Sequence, residues 1–86
     1  MDIMEPILKT PVLNTKIKTG KYVLVAVDYN GKRPIEYSND HNKLLKKMEK
    51  IAQESVFKFD RINLAEMYSE DLDITYKVIL TDDLFK

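Results

Sequence analysis

The chain contains no cysteine and no tryptophan, and only two glycines, three prolines and one histidine, in 86 residues. Each scarcity excludes some chemistry. Without cysteine there is no disulfide to staple a small fold and no thiolate to hold a metal, so stability must come from a hydrophobic core. A cysteine-free chain also suits a reducing compartment, and a cytoplasmic setting is expected. Two glycines are too few for a dinucleotide fingerprint. Neither Gly20-Lys21-Tyr22 nor Gly31-Lys32-Arg33 carries the Ser or Thr of a phosphate-binding P-loop, and Thr15 stands where the first glycine of such a loop belongs. Ser38, Ser55 and Ser69 lack the flanking glycines of a nucleophile elbow.

Long apolar runs are also missing. The longest, Tyr22 to Val27, is far short of the roughly 20 residues that span a bilayer, so no membrane association is expected. The opening Met1-Asp2-Ile3-Met4-Glu5-Pro6 shows no basic stretch leading into an apolar one, and no secretory signal is expected. The single histidine, His41, falls in the first turn of an expected helix. It could serve as a base, but no nucleophile or oxyanion-stabilising set is recognisable around it. Asp71-Leu72-Asp73-Ile74-Thr75 has oxygen-bearing side chains at alternate positions, as a calcium loop does. However, the sixth position is Tyr76 instead of the required glycine, and the same alternation describes the wet side of a strand. No cofactor, metal or catalytic residue is therefore assigned, and the protein is read as a non-enzyme.

What is present is enough for one domain, 1–86, with 44% hydrophobic and 33% charged residues. Pro6 and Pro11 make residues 1–11 an extended lead-in. Val12 to Lys18 alternates weakly, with Leu13, Thr15 and Ile17 on one side, and reads as a strand. Tyr22 to Tyr29 is rich in β-branched residues and is the clearest strand. A three-residue loop, Tyr29-Asn30-Gly31, returns the chain so that Val25 meets Ile35 and Val23 meets Tyr37, keeping like residues together. Pro34 cannot donate a ladder hydrogen bond, which places the return strand at a sheet edge. From Asp40 to Ser55, Leu44, Leu45, Met48, Ile51 and Ala52 recur at helical spacing behind the cap candidates Ser38, Asn39 and Asp40.

Val56 to Ile62 reads as a strand with Phe57 and Phe59 on one face. Asn63-Leu64-Ala65-Glu66 has the form of a capping box ahead of a short helix, with a continued strand or an irregular loop competing. Leu72 to Leu80 alternates as a half-buried strand, and 81–86 is a short tail. The expected fold is thus α+β: a small antiparallel sheet in βββαββ order with one amphipathic helix packed on one face. Leu24 and Ala26 lie opposite Val23, Val25 and Val27, and Ile79 lies opposite the apolar set of the last strand. Gathered together, Leu24, Ala26 and Ile79 would form a second apolar face, a place for self-association.

Charge carries the most functional information. Net charge is zero, but residues 1 to 58 hold eleven Lys or Arg against seven Asp or Glu, and residues 59 to 86 hold three against seven. The halves are therefore +4 and −4. The acidic half contains Glu66, Tyr68, Glu70, Asp71 and Asp73, carboxylates around an aromatic of the kind that anchors interfaces. These five are the candidate protein-binding residues of a small regulatory domain. Its lysine- and isoleucine-rich, arginine-poor composition fits an AT-rich bacterial or phage source, and a phage-type inhibitor or accessory factor is consistent with it. The alternative is a nucleic-acid-binding module using Lys16, Lys18, Lys21, Tyr22, Lys32, Arg33, Lys43, Lys46, Lys47 and Lys50, with lysines and aromatics interleaved. A homodimeric structural domain is the third reading.

Overall fold

The computed structural model describes residues 20–84. The lead-in expected over residues 1–11, the strand expected over Val12 to Lys18, and the site candidates Lys16 and Lys18 lie outside the described residues. Within them the chain runs β1 (Tyr22–Asp28), β2 (Gly31–Ser38), α1 (His41–Glu54), β3 (Asp60–Asn63), β4 (Glu66–Ser69), β5 (Ile74–Leu80) and α2 (Thr81–Leu84). The five strands form one antiparallel sheet in the order β2-β1-β5-β4-β3. It is an α+β fold, with α1 across one face of the sheet.

β1 occupies the interior of the sheet, as its β-branched composition requires, between β2 and β5. Its hairpin to β2 is tighter than the sequence suggests. Asp28 pairs with Gly31, so the loop is Tyr29-Asn30 alone, closed by a hydrogen bond from the Asn30 amide to Asp28 Oδ1 of 2.8 Å. Val23 meets Tyr37 as expected, but Val25 meets Pro34, not Ile35. The register shifts between Leu24 and Val25, leaving Ile35 as the extra residue of a bulge. One bulge reconciles the two-residue loop with like-to-like pairing further along, and it sits beside a proline with no amide to contribute. β2 is an edge strand, as Pro34 implied.

Cross-strand pairing decides which residues share a face. Leu24 lies beside Val78 and Ala26 beside Tyr76, whereas Val23 lies beside Ile79. Leu24 and Val78 form the core with Leu44, Leu45 and Met48 of α1, and Tyr22, Ile51, Ala65, Met67 and Tyr76 pack around it. This corrects the grouping drawn from sequence. Leu24 and Ala26 belong on the face that carries the helix, with Leu24 in the core beneath it, and Ile79 belongs on the far face with Val23, Val25 and Val27. Val23 and Val25 are both 0% exposed, so β1 is buried on both faces. The Tyr37 hydroxyl, enclosed on the same far face, has no hydrogen-bond partner among the described residues, and burial raises its pKa above 10.

α1 forms because its apolar positions repeat at helical spacing and because Asp40 caps it. The Asp40 backbone is extended, and Oδ1 accepts from the Lys43 amide at 3.3 Å. Ser38 Oγ in turn accepts from the Asp40 amide at 3.0 Å. The expected end residues, Asp40 and Ser55, are the two caps.

Beyond α1 the sequence reading needs three further corrections. The strand expected over Val56 to Ile62 is only Asp60–Asn63, because 55–59 is the connection from the helix to the sheet edge. Val56 is 93% exposed, while Phe59 turns inward and stacks on Tyr76 at 5.2 Å between centroids. Asn63 to Glu66 closes a hairpin, not a helix. Asn63 Oδ1 accepts from the Ala65 amide at 2.9 Å, and its Nδ2 donates to Glu66 Oε1 at 3.0 Å, so the polar groups of a capping box bridge a turn. The residues expected as a tail include a helical turn at Thr81–Leu84, whose Thr81 is buried. Thr81 donates through Oγ1 to the Gly20 carbonyl at 2.7 Å and through its amide to the Lys21 carbonyl at 2.8 Å, joining this turn to the start of β1.

Candidate interaction surfaces

β4 alternates in the ordinary way. Met67 packs toward the helix, so Glu66 and Tyr68 face the opposite side, where Tyr68 lies across from Asp60. The turn from β4 to β5 carries Glu70, Asp71 and Asp73. Asp73 has a left-handed backbone, φ 53°, a conformation that aspartate tolerates better than most residues. Its Oδ1 accepts a hydrogen bond from the Tyr68 hydroxyl at 3.2 Å. That bond is the main cause that raises the Tyr68 pKa above 10, followed by burial and by the negative charges of Asp73 and Glu70. The structure thus brings Tyr68, Glu70, Asp71 and Asp73 together at one end of the sheet. Glu66 lies further along β4, opposite Lys77 and held by Asn63.

Four other carboxylates of the sheet and of α1 have a cation. Asp28 pairs with Arg33 at 3.3 Å, and Glu36 with Lys43 at 3.6 Å and Lys47 at 3.4 Å. Glu49 pairs with Arg61, and Asp60 with Lys58 at 3.7 Å. None of Glu70, Asp71 and Asp73 forms an ion pair among the described residues. Exposed pairs of this kind contribute little to stability, but they decide where net charge is left.

The described members of the lysine-rich set divide into two groups. Lys32 and Arg33 sit at the hairpin end of β1, opposite Val27 and Ala26, the same end as the acidic turn. Lys21 and Tyr22 sit at the other end of β1, beside the start of α1. With about 3.3 Å of rise per residue, the two ends are roughly 20 Å apart. Lys43, Lys46, Lys47 and Lys50 follow the exposed side of α1. Arg61, which sequence reasoning left without a role, ties β3 to α1 through Glu49 and also donates to the carbonyls of Asn63 at 3.1 Å and Leu64 at 2.9 Å. Its partners lie in α1 and in the turn that follows β3, and no sequence pattern announces the link to Glu49.

His41 meets the Tyr22 ring edge-on, with centroids 4.9 Å apart. Among the described residues no three histidine, aspartate or glutamate side chains come together to hold a metal ion. No helix among them is long and apolar enough to cross a membrane. No family model, curated protein or solved structure matches the chain.

Proposed function

We propose that this is a small non-enzymatic domain that binds another protein through the acidic end of its sheet, with Tyr68, Glu70, Asp71 and Asp73 presented to a basic surface. One observation carries this reading: among the described residues Glu70, Asp71 and Asp73 gather three carboxylates without a cation within four positions of one turn, whereas Asp28, Glu36, Glu49 and Asp60 each have one. A basic partner would supply the missing charge. Its approach would be steered electrostatically, and its register would be fixed by a turn whose Asp73 is already held by Tyr68. Glu66, two residues before Tyr68 on the same face, would extend the contact toward the middle of β4. A cytoplasmic regulator, such as a phage-type inhibitor or accessory factor, is the kind of protein that works in this way.

The test is affinity capture from the native cell with the wild-type chain and with E70Q/D71N/D73N, followed by reconstitution of the complex from purified partner. Three rim charges at about 0.5 kcal/mol each predict a loss of roughly tenfold in affinity, shrinking as salt rises. A partner whose affinity is the same for both proteins at low salt overturns the proposal.

A further inference from the structure

We propose a second surface, independent of the acidic turn: the lysine ridge on the outer side of α1 binds the phosphate backbone of a nucleic-acid duplex without reading its sequence. The Lys21 amide donates to Asn39 Oδ1 at 2.8 Å, and the Tyr22 ring packs on His41, so the start of β1 is fastened to the start of α1. Lys21, far away in sequence, is thereby placed at the N-terminal end of the helix that carries the other lysines. From there Lys43, Lys46, Lys47 and Lys50 continue along the exposed side of the helix. At 1.5 Å per residue, Lys43 to Lys50 covers about 10 Å of helix axis.

The ridge carries excess positive charge. Glu36 is shared by Lys43 and Lys47, and the Asp40 carboxylate is committed to the helix cap. Lys46 and Lys50 have no carboxylate partner among the described residues. Glu49 is neutralised by Arg61, so five lysines against three carboxylates, Glu36, Asp40 and Glu54, leave a local surplus of two positive charges.

Its chemistry selects phosphate over bases. The ridge consists of lysines, compact point charges, and contains no arginine to make bidentate contacts with base edges. Tyr22 offers no free platform for stacking, because His41 meets its ring and the Lys21 ammonium lies 5.6 Å from the ring centroid. A duplex fits a short rigid line of charge best, since it presents about one phosphate per 1.7 Å of axis and releases the most counterions on contact.

The test uses the full 86-residue chain and fluorescence anisotropy of a labelled DNA duplex of about 20 base pairs across a salt series from low to physiological ionic strength. If all five lysines engage, log K falls against log salt with a slope of about −4.5. K46E/K50E is expected to weaken binding at least tenfold and to flatten that slope. Both side chains are exposed, and circular dichroism will verify that the variant is folded. K32E, at the opposite end of β1, is expected to leave affinity within twofold of wild type. Absence of binding at low salt, equal affinity for K46E/K50E and wild type, or an equal loss in K32E overturns the proposal. Tighter binding of the corresponding single strand than of the duplex also overturns it.

Discussion

Gly20 and Gly31 offer a controlled comparison, because they have nearly the same φ angle and very different surroundings. Their φ angles are +113° and +120°, in a region that side chains rarely adopt. A Cβ built on Gly31 meets nothing within 4 Å, so Gly31→Ala carries only the conformational cost, about 1–3 kcal/mol. A Cβ built on Gly20 lies 2.6 Å from the Ser38 nitrogen and 3.0 Å from its Cα and carbonyl carbon. All three are backbone atoms, which no rotamer change can move. Ser38 also supports the helix cap, and Gly20 accepts the buried Thr81 hydrogen bond, so a shift there disturbs two further contacts. Overpacking adds about 1–3 kcal/mol and weakening one hydrogen bond about 1 kcal/mol, which puts Gly20→Ala roughly 2–4 kcal/mol below Gly31→Ala. Urea unfolding followed by far-ultraviolet circular dichroism measures both. At about 4–8 °C per kcal/mol for a domain of this size, thermal melts should separate them by about eight degrees or more. Equal losses, or a larger loss at Gly31, would refute the close approach of Gly20 to Ser38 and the closure of the fold at that corner.

Three other outcomes follow from the structure. Asp40→Ala removes the acceptor for the Lys43 amide and is expected to cost about 1 kcal/mol in urea unfolding, with Asp40→Asn losing much less; equal losses would mean that the cap contributes nothing through its oxygen. Tyr68 and Tyr37 both have raised pKa values in the folded protein, so each binds its proton more tightly when folded than when unfolded. Their contribution to stability is complete below pH 10 and is lost as pH rises through the folded pKa, giving a stability that declines above pH 10. Asp73→Ala, which removes the acceptor, should return the Tyr68 titration toward 10, as read by the ultraviolet difference signal of tyrosinate. A Tyr68 titration that does not move would contradict the assigned hydrogen bond.

The features legible in the sequence were those set by local rules. The α1 helix announced itself through the spacing of Leu44, Leu45, Met48 and Ile51 and through Asp40, because both periodicity and capping act within a few residues. β1 and β5 were legible from β-branched content and alternation, and Pro34 located a sheet edge. Long-range pairing was not legible. Whether Leu24 or Val23 lies under the helix depends on its register with Val78 and Ile79, more than fifty residues away. Asn63 illustrates a second limit: the same side-chain groups can cap a helix or bridge a hairpin turn, and the pairing of Met67 with Tyr76 settles the choice. The candidate surfaces divide in the same way. Tyr68 and the acidic turn are neighbours in sequence and stay neighbours in space, whereas Lys32 and Lys21, grouped by sequence, end at opposite ends of β1. Which charges remain unneutralised is a tertiary property, visible once Glu36 is seen between Lys43 and Lys47 and Arg61 beside Glu49.

The central claim, that the acidic turn is where a protein partner docks, is tested most directly by amide chemical-shift mapping as the purified partner is added to isotopically labelled protein. The account predicts that the largest changes fall on residues 68 to 73, with Glu66 and Asp60 next, and that they diminish at high salt. Changes centred on α1 or on the β1–β2 hairpin, with the turn unperturbed, would contradict it.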